Sequence, residues 1–169
     1  GGCASIISSR SPNSLLCHAC IGTANMARYD MEQFLANPRV KVTALCDVDA
    51  SFLAAARKLV PDARIYRDWR ELLASEGDRI DSLNVSTPDQ THAVIAANAM
   101  RRGKHVYCQK PMSFGVSEGI AMVRAAKEHG FAAFSTTLTV SRYQDHALIQ
   151  KLGNAGNRPF SHTVTQYIC

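Results

Sequence analysis

IDSLNVSTPDQTHAVIAANAMRRGKHVYCQKPMS, residues 80–113, is the stretch whose reading decides the fold. Asp81 to Ser86 has the look of a short strand. Residues 90–102 follow as a helix that Gly103 closes, and Lys104 to Cys108 is a second strand carrying Val106 and Tyr107. A helix between two strands returns the chain to the edge it started from, so the strands run parallel. The second strand delivers Gln109 and Lys110 directly before Pro111. Lysines usually sit on solvated surfaces, yet this one leaves a strand in a step whose backbone the proline restrains.

Outward from this unit the alternation continues. Residues 15–21 form an apolar run. Residues 25–36 carry Met26, Tyr29, Phe34 and Leu35 at helical steps until Asn37-Pro38 ends them. Val40 to Cys46 is β-branched and reads as a strand, and 50–59 is an Ala-rich helix stopped by Pro61. A short strand at 64–66 precedes a helix with Asp68 as N-cap and Glu71 three residues on. Downstream, a helix over 117–129 is followed by Gly130, and Phe131 to Thr136 is a sixth strand. A helix over 142–152, a turn-rich hinge at 153–159 and an alternating strand over 160–168 complete the chain. Strands separated by helices predict an α/β class with a doubly wound parallel sheet. Such sheets bind ligands beyond the carboxyl ends of their strands, so functional residues should lie just after each strand.

The 169 residues are 46% hydrophobic and 20% charged, values of a folded domain rather than a disordered chain. The net charge of +5 is spread out, the densest cluster being Arg101, Arg102, Lys104 and His105. No basic stripe is interleaved with aromatics, which argues against nucleic acid as a partner. No run reaches the ~18 apolar residues of a membrane helix. Residues 1–14 read as a disordered lead-in without a signal peptide. The six cysteines include Cys17 and Cys20 in a CxxC, but these lie in a strand, where residues three apart point to opposite faces. A shared metal is therefore not expected. The scattered thiols fit a reducing, cytoplasmic compartment, with an exported origin left open by a chain that begins at Gly.

The strand ends carry the candidate chemistry. Gly22-Thr23-Ala24-Asn25-Met26-Ala27 stands after the first strand, in the place of the dinucleotide fingerprint GxGxxG/A. Gly22 is the glycine of the tight turn, and Ala24 replaces the glycine that lets backbone approach a pyrophosphate. Asp47 ends the second strand, close to the ~20-residue offset at which an acidic side chain binds the adenosine ribose. A helix N-cap is the plainer explanation of Asp47, although Asp49 fills that role as well. If a cofactor binds, an acid here favours NAD over NADP, whose 2′-phosphate it would repel. Ser86-Thr87-Pro88-Asp89 ends the fourth strand. There Asp89 is a candidate helix cap, and Thr87 and His92 would face a cleft. Lys110 stands after the fifth strand, where burial or a neighbouring positive charge can fit a lysine for acid–base chemistry.

Together these strings resemble the glucose–fructose oxidoreductase and inositol dehydrogenase family, Gfo/Idh/MocA. The resemblance rests first on residues 80–113, with the spacing of STP, GKHV and QKP. ALCDVDASFLAAARKL, YRDWRELLAS, VRAAKEHG and SRYQDHALIQKLGNAGNRPF add to it. It implies a Rossmann-type NAD(P)-binding domain over 15–140, with 141–169 forming a linking helix and the first strand of a truncated second domain. It implies NAD or NADP, of which the acid at Asp47 favours NAD, and hydride transfer from a sugar or cyclitol hydroxyl. It gives Lys110 the contact with that hydroxyl and with the nicotinamide ribose. By the same resemblance Thr87, Pro88 and His92 line the cofactor groove, Asp47 holds the adenosine ribose, Arg142 lies near the nicotinamide end, and Gln109 stands for the commoner Glu. The partners implied are a small sugar or polyol and, where the second domain is present, a second copy of the chain. Two functions stay open at this point: an oxidoreductase or its cofactor-binding portion, and a nucleotide-binding or interaction module without turnover.

Overall fold

In the computed structural model, residues 15–131 are described. Strand β1 is Leu16–Ile21, β2 is Val40–Cys46, β3 is Arg64–Tyr66, β4 is Ser82–Val85 and β5 is His105–Cys108. Helix α1 is Met26–Ala36, α2 is Ala50–Arg57, α3 is Trp69–Glu76, α4 is His92–Met100 and α5 is Val116–Glu128. The five described strands form one sheet in the order β3-β2-β1-β4-β5, and every neighbouring pair is parallel. The expected sixth strand, apart from Phe131, lies outside the described residues. So do residues 1–14, Arg142, the helix at 142–152, the hinge and the strand at 160–168.

Parallel strands must be covered on both faces, because their connecting helices pack there. The side chains alternate accordingly. Cys20, Val42 and Leu45 meet Met31 of α1 and Leu53 and Ala56 of α2 in one core. Ala19, Ile21, Leu83, Val85 and Val106 meet Leu72 and Leu73 of α3, Ile95 and Met100 of α4 and Met122 of α5 in the other. Helix α4 is buried on nearly every side, and its run of alanines lets α5 pack beside it. Fully burying one such Leu or Ile contributes roughly 1.5–3 kcal/mol, so the two cores are what hold the strand ends in place.

The helix starts match the sequence in part. Asp49 caps α2 by accepting from the N–H groups of Ser51 and Phe52, and Asp68 caps α3 by accepting from Arg70 N–H. Asp89 does not act as a cap. It lies within a 3-10 turn, Asp89–Thr91, that makes no side-chain cap bond. Thr91 ties that turn down instead, its hydroxyl lying 2.8 Å from the Pro88 carbonyl oxygen and 2.7 Å from Thr87 Oγ1. At the start of α5, Glu118 accepts from the N–H groups of Phe114 and Gly115, so the helix opens before Ser117.

From β1 the chain winds outward to β2 and β3, then returns to add β4 and β5 on the other side. The direction reverses between β1 and β4. In open α/β sheets this switch point leaves a crevice at the strands' carboxyl ends, where ligands bind.

Candidate functional site

The site is assembled from the turns that follow β1, β2, β4 and β5. Gly22 leaves β1 at φ +93°, a conformation that side-chain-bearing residues rarely adopt. A Cβ built there would lie 2.4 Å from the backbone oxygen of Ser86, so the two turns at the switch point touch through this glycine. Helix α1 then begins at Met26. No side chain caps it and the first turn carries no acid; Ala27 N–H and Arg28 N–H are held by the carbonyls of Ala24 (3.0 Å) and Asn25 (3.1 Å). Its N-cap, Asn25, takes φ 52°, ψ −121°, the only positive φ among the described non-glycine residues. Ala24, which the fingerprint singles out, is half-buried, while Asn25 and Met26 are exposed.

Asp47 is not a helix cap. Its Oδ2 accepts from Thr23 N–H (2.9 Å) and from the Thr23 hydroxyl (2.9 Å), and its Oδ1 accepts from Asp49 N–H at 3.1 Å. The carboxylate is thus fastened to the β1–α1 turn, and Thr23 is buried in making that contact. A carboxylate offers about four acceptor positions, which leaves capacity on Asp47 for one further donor. Beside it, Arg67 donates from Nη2 to the carbonyl of Val48 at 2.7 Å.

The turns after β4 and β5 meet through His92, and here the sequence expectation is corrected. His92 does not face a cleft: it is 1% exposed. Its Nδ1 lies 2.6 Å from the Pro111 carbonyl oxygen and its Nε2 lies 2.7 Å from that of Thr87. Each ring nitrogen faces a backbone carbonyl, so the ring is wedged between the STP and QKP turns rather than turned to a ligand. Lys110 and Pro88 are exposed, Thr87 and Gln109 are half-buried, and the Lys110–Pro111 peptide bond is cis.

Beneath these turns runs a chain of buried polar groups that sequence reading missed. Asn84 donates from Nδ2 to Ser86 Oγ (2.8 Å), which leaves its Oδ1 facing His18 Nε2 at 3.2 Å. His18 therefore carries its proton on Nε2 and receives the Ser82 hydroxyl on Nδ1 at 2.7 Å. Burial pushes the His18 pKa down to about 4, against a weaker upward pull from Asn84, so the ring is neutral near pH 7. It stacks on Phe34 with ring centroids 4.0 Å apart. At the other end the Ser86 hydroxyl donates to Asp30 Oδ2 at 2.6 Å, and Gln109 Nε2 donates to both Asp30 oxygens at 3.1 and 3.2 Å. Burial, and after it the charge of Asp30, pushes the Tyr107 hydroxyl up to about 12. Asp30 sits five residues past the N-cap of α1, and only the packing of α1 against the sheet reveals its role.

Other features lie outside the turns after β1, β4 and β5. An open depression of about 600 Å³ between α2 and β3 is lined by Leu53, Arg57, Pro61 and Tyr66, among others, and neither Gly22 nor Lys110 lines it. Cys17 is half-buried, and Cys20, Cys46 and Cys108 are buried; all are free thiols. Among the described residues no helix is long and apolar enough to cross a membrane.

A doubly wound parallel sheet with a glycine turn and an open helix start at its switch point has the arrangement of the dinucleotide-binding domains. The chain belongs to the Gfo/Idh/MocA family, described as "Oxidoreductase family, NAD-binding Rossmann fold", whose model matches residues 17–137. It is 31% identical over 108 residues to the scyllo-inositol 2-dehydrogenase (NADP(+)) IolU of Bacillus subtilis (strain 168), covering 62% of this chain and 32% of that protein. The oxidoreductase domain protein from Kribbella flavida superposes with a TM-score of 0.62 at 33% identity, covering 69% of this chain and 32% of that one. GenD2 from gentamicin A biosynthesis, solved in complex with NAD, superposes with a TM-score of 0.63 at 28% identity, covering 69% and 33%. The chain thus spans about a third of the length of these relatives.

Proposed function

We propose that this chain binds NAD at the β1–β4 switch point and forms the cofactor-holding part of an oxidoreductase acting on a sugar or cyclitol hydroxyl. The observation that carries the reading is the contact of Gly22 with Ser86 in front of the uncapped start of α1. A side chain at position 22 would collide with the Ser86 backbone and push the two turns apart. The N–H groups of a helix start, with the helix dipole behind them, suit a pyrophosphate. Gly22, Thr23, Ala24, Asn25 and Met26 form this turn, with Ser86, Thr87 and Pro88 across the crevice from it.

Asp47 is the proposed holder of the adenosine ribose. Its charge favours a ribose hydroxyl over a 2′-phosphate, so NAD is preferred to NADP. Thr23 fixes the carboxylate from one side, which leaves a single hydroxyl contact as the natural mode. At the other end, Lys110 is the proposed proton-transfer residue. Exposed at the end of β5, its side chain can take the proton of the reacting hydroxyl as the neutral amine, return it as the ammonium, and reach the nicotinamide ribose. The nicotinamide, when bound, supplies hydride acceptance and return. Gln109 holds the Lys110 backbone, and His92 serves the groove only as a wedge between its two walls. The domain limits belong to the same proposal, with 15–140 holding the cofactor and 141–169 leading into a substrate domain. IolU acts on scyllo-inositol, and a ring hydroxyl of that kind is the substrate class proposed here.

Calorimetric titration of the chain with NAD and with NADP tests the cofactor reading. NAD should bind more tightly, and Asp47→Ala should weaken it. Absence of binding by either at millimolar concentration overturns the proposal, and binding of NADP alone overturns the choice of cofactor. In the complete protein, Lys110→Ala should lower kcat by about 10²–10⁴-fold while NAD affinity changes little. Binding of NAD with no substrate oxidation by the complete protein would favour a nucleotide-binding module instead.

A further inference from the structure

The buried polar chain ends at the residue to which the proposed function assigns proton transfer. Its bonds all point toward Asp30. Ser82 donates to His18, His18 to Asn84, Asn84 to Ser86, and Ser86 to Asp30. Gln109 donates to Asp30 from the other side, and its Oε1 accepts the backbone N–H of Lys110 at 2.8 Å. Asp30 is 6% exposed, and its hydrogen-bond partners among the described residues are neutral. Burying a carboxylate is costly unless donors surround it, so the hydroxyl of Ser86 and the amide of Gln109 are both required there.

We propose that Asp30 is a positioning residue for Lys110, acting through Gln109. A side-chain amide has a donor end and an acceptor end and can be seated in either sense. Beside the Asp30 carboxylate only one sense is satisfied: nitrogen toward Asp30, oxygen toward Lys110 N–H. Asp30 thereby fixes which way Gln109 faces, and Gln109 fixes the backbone from which the Lys110 side chain extends. A glutamate at 109 offers acceptors only. It would set two carboxylates against each other and swing away, releasing Lys110 N–H. The pairing therefore explains why the amide rather than the acid stands at 109 in this chain. The inference rests on the reading of Lys110 as the proton-transfer residue.

Amide exchange at Lys110, read by NMR on the ¹⁵N-labelled chain without any cofactor, tests the geometry. Gln109→Glu should speed that exchange roughly tenfold at neutral pH, because the acceptor is lost. Asp30→Asn should do so too, since its own amide lets Gln109 turn over and present a donor to Lys110 N–H. The double variant Asp30→Asn/Gln109→Glu restores a donor at 30 and acceptors at 109, so it should return the exchange to the parent rate. A loss of packing would not be repaired by this swap, and coupling between two contacting sites is what a double-mutant cycle isolates. Unchanged exchange in both single variants, or exchange in the double variant as fast as in the singles, overturns the proposal. Should one single variant not fold, the other compared with the double variant distinguishes the same two outcomes.

In the complete protein the single variants should lower kcat more than they raise KM for NAD, and the double variant should recover kcat. If the exchange pattern holds while Lys110→Ala leaves turnover intact, the proposed function of Lys110 fails and the positioning of its backbone by Asp30 stands. If the exchange pattern is absent while Lys110→Ala abolishes turnover, the function survives and the positioning is wrong.

Discussion

Helices α1 and α2 start after neighbouring strands of one sheet, yet they are finished in opposite ways. Helix α2 is closed by its own sequence: Asp49 accepts from two N–H groups of the first turn and from the Ser51 hydroxyl. Helix α1 has no side-chain cap and no acid in its first turn. Asn25 takes a strained conformation there, and Gly22 is pressed against the opposite turn. Only the start of α1 lies at the switch point. The side-chain cap of α2 and its absence from α1 are the contrast that the proposed anion site at the crevice rests on. The open end is also the costlier to maintain, since strained backbone of this kind costs of order 1–3 kcal/mol.

Gly22→Ala should be the most damaging single change at either helix start. The new methyl would meet the backbone oxygen of Ser86, which cannot rotate away, at a φ already unfavourable for alanine. A loss of about 3–5 kcal/mol is expected in urea unfolding, together with loss of NAD binding. A variant as stable as the parent would show that the turns do not touch.

Acid should strike the α1 side before the α2 side. His18, packed against Phe34 of α1, has a folded pKa of about 4 against an ordinary value of 6.5. The unfolded chain therefore takes up the proton first, so this stability is complete above pH 6.5 and is lost as the pH falls toward 4. At most about 3 kcal/mol is at stake. Asp49, held below the usual carboxylate range by the Ser51 hydroxyl and then the Ser51 backbone N–H, loses its contribution only at lower pH. Denaturant melts at pH 7 and pH 4.5 should differ markedly for the parent and much less for His18→Gln. Equal pH dependence in the two would assign the acid sensitivity elsewhere.

What sequence reading captured of the two helix starts, and what it missed, follows from how local each feature is. The alternation of strands and helices was legible because apolar runs and their Pro and Gly stops are local. Asp49 and Asp68 were legible as caps for the same reason. Gly22 stood out through its motif, but the residue carrying the unusual backbone is Asn25, whose neighbour Ala24 drew attention only by comparison with a consensus. Asn tolerates positive φ better than most residues, and that was the available signal. His92 was misplaced because a 3-10 turn separates it from the strand end and burial turns its ring to the backbone. The chain from His18 to Gln109 was invisible. His18 and Asn84 are 66 residues apart, and Asp30 and Gln109 are 79 apart. The sheet order alone makes them neighbours.

Removing the cap that α2 does have should separate stability from binding. Asp49→Ala should cost about 1 kcal/mol, the usual worth of an Asp cap, with NAD affinity unchanged in calorimetry. A parallel fall in affinity would mean that the α2 start also belongs to the cofactor site, and the contrast between the two ends would collapse.

The smallest effect is expected at Asn25, and its sign is the informative part. Glycine adopts φ 52°, ψ −121° without the clash that a Cβ introduces, so Asn25→Gly relieves strain in the folded state. Glycine also loosens the unfolded chain, which takes back part of the gain, and no cap bond is lost because Asn25 makes none. The net should be a stabilisation of about 0.5–1 kcal/mol in thermal or urea melts. If the side chain serves the bound cofactor, NAD affinity should fall as stability rises, the trade expected when strain is kept at a site for function. Stability rising with affinity unchanged would leave Asn25 with a backbone role alone. A loss of stability would mean that the turn is not strained, and that α1 is open only because its sequence lacks a cap.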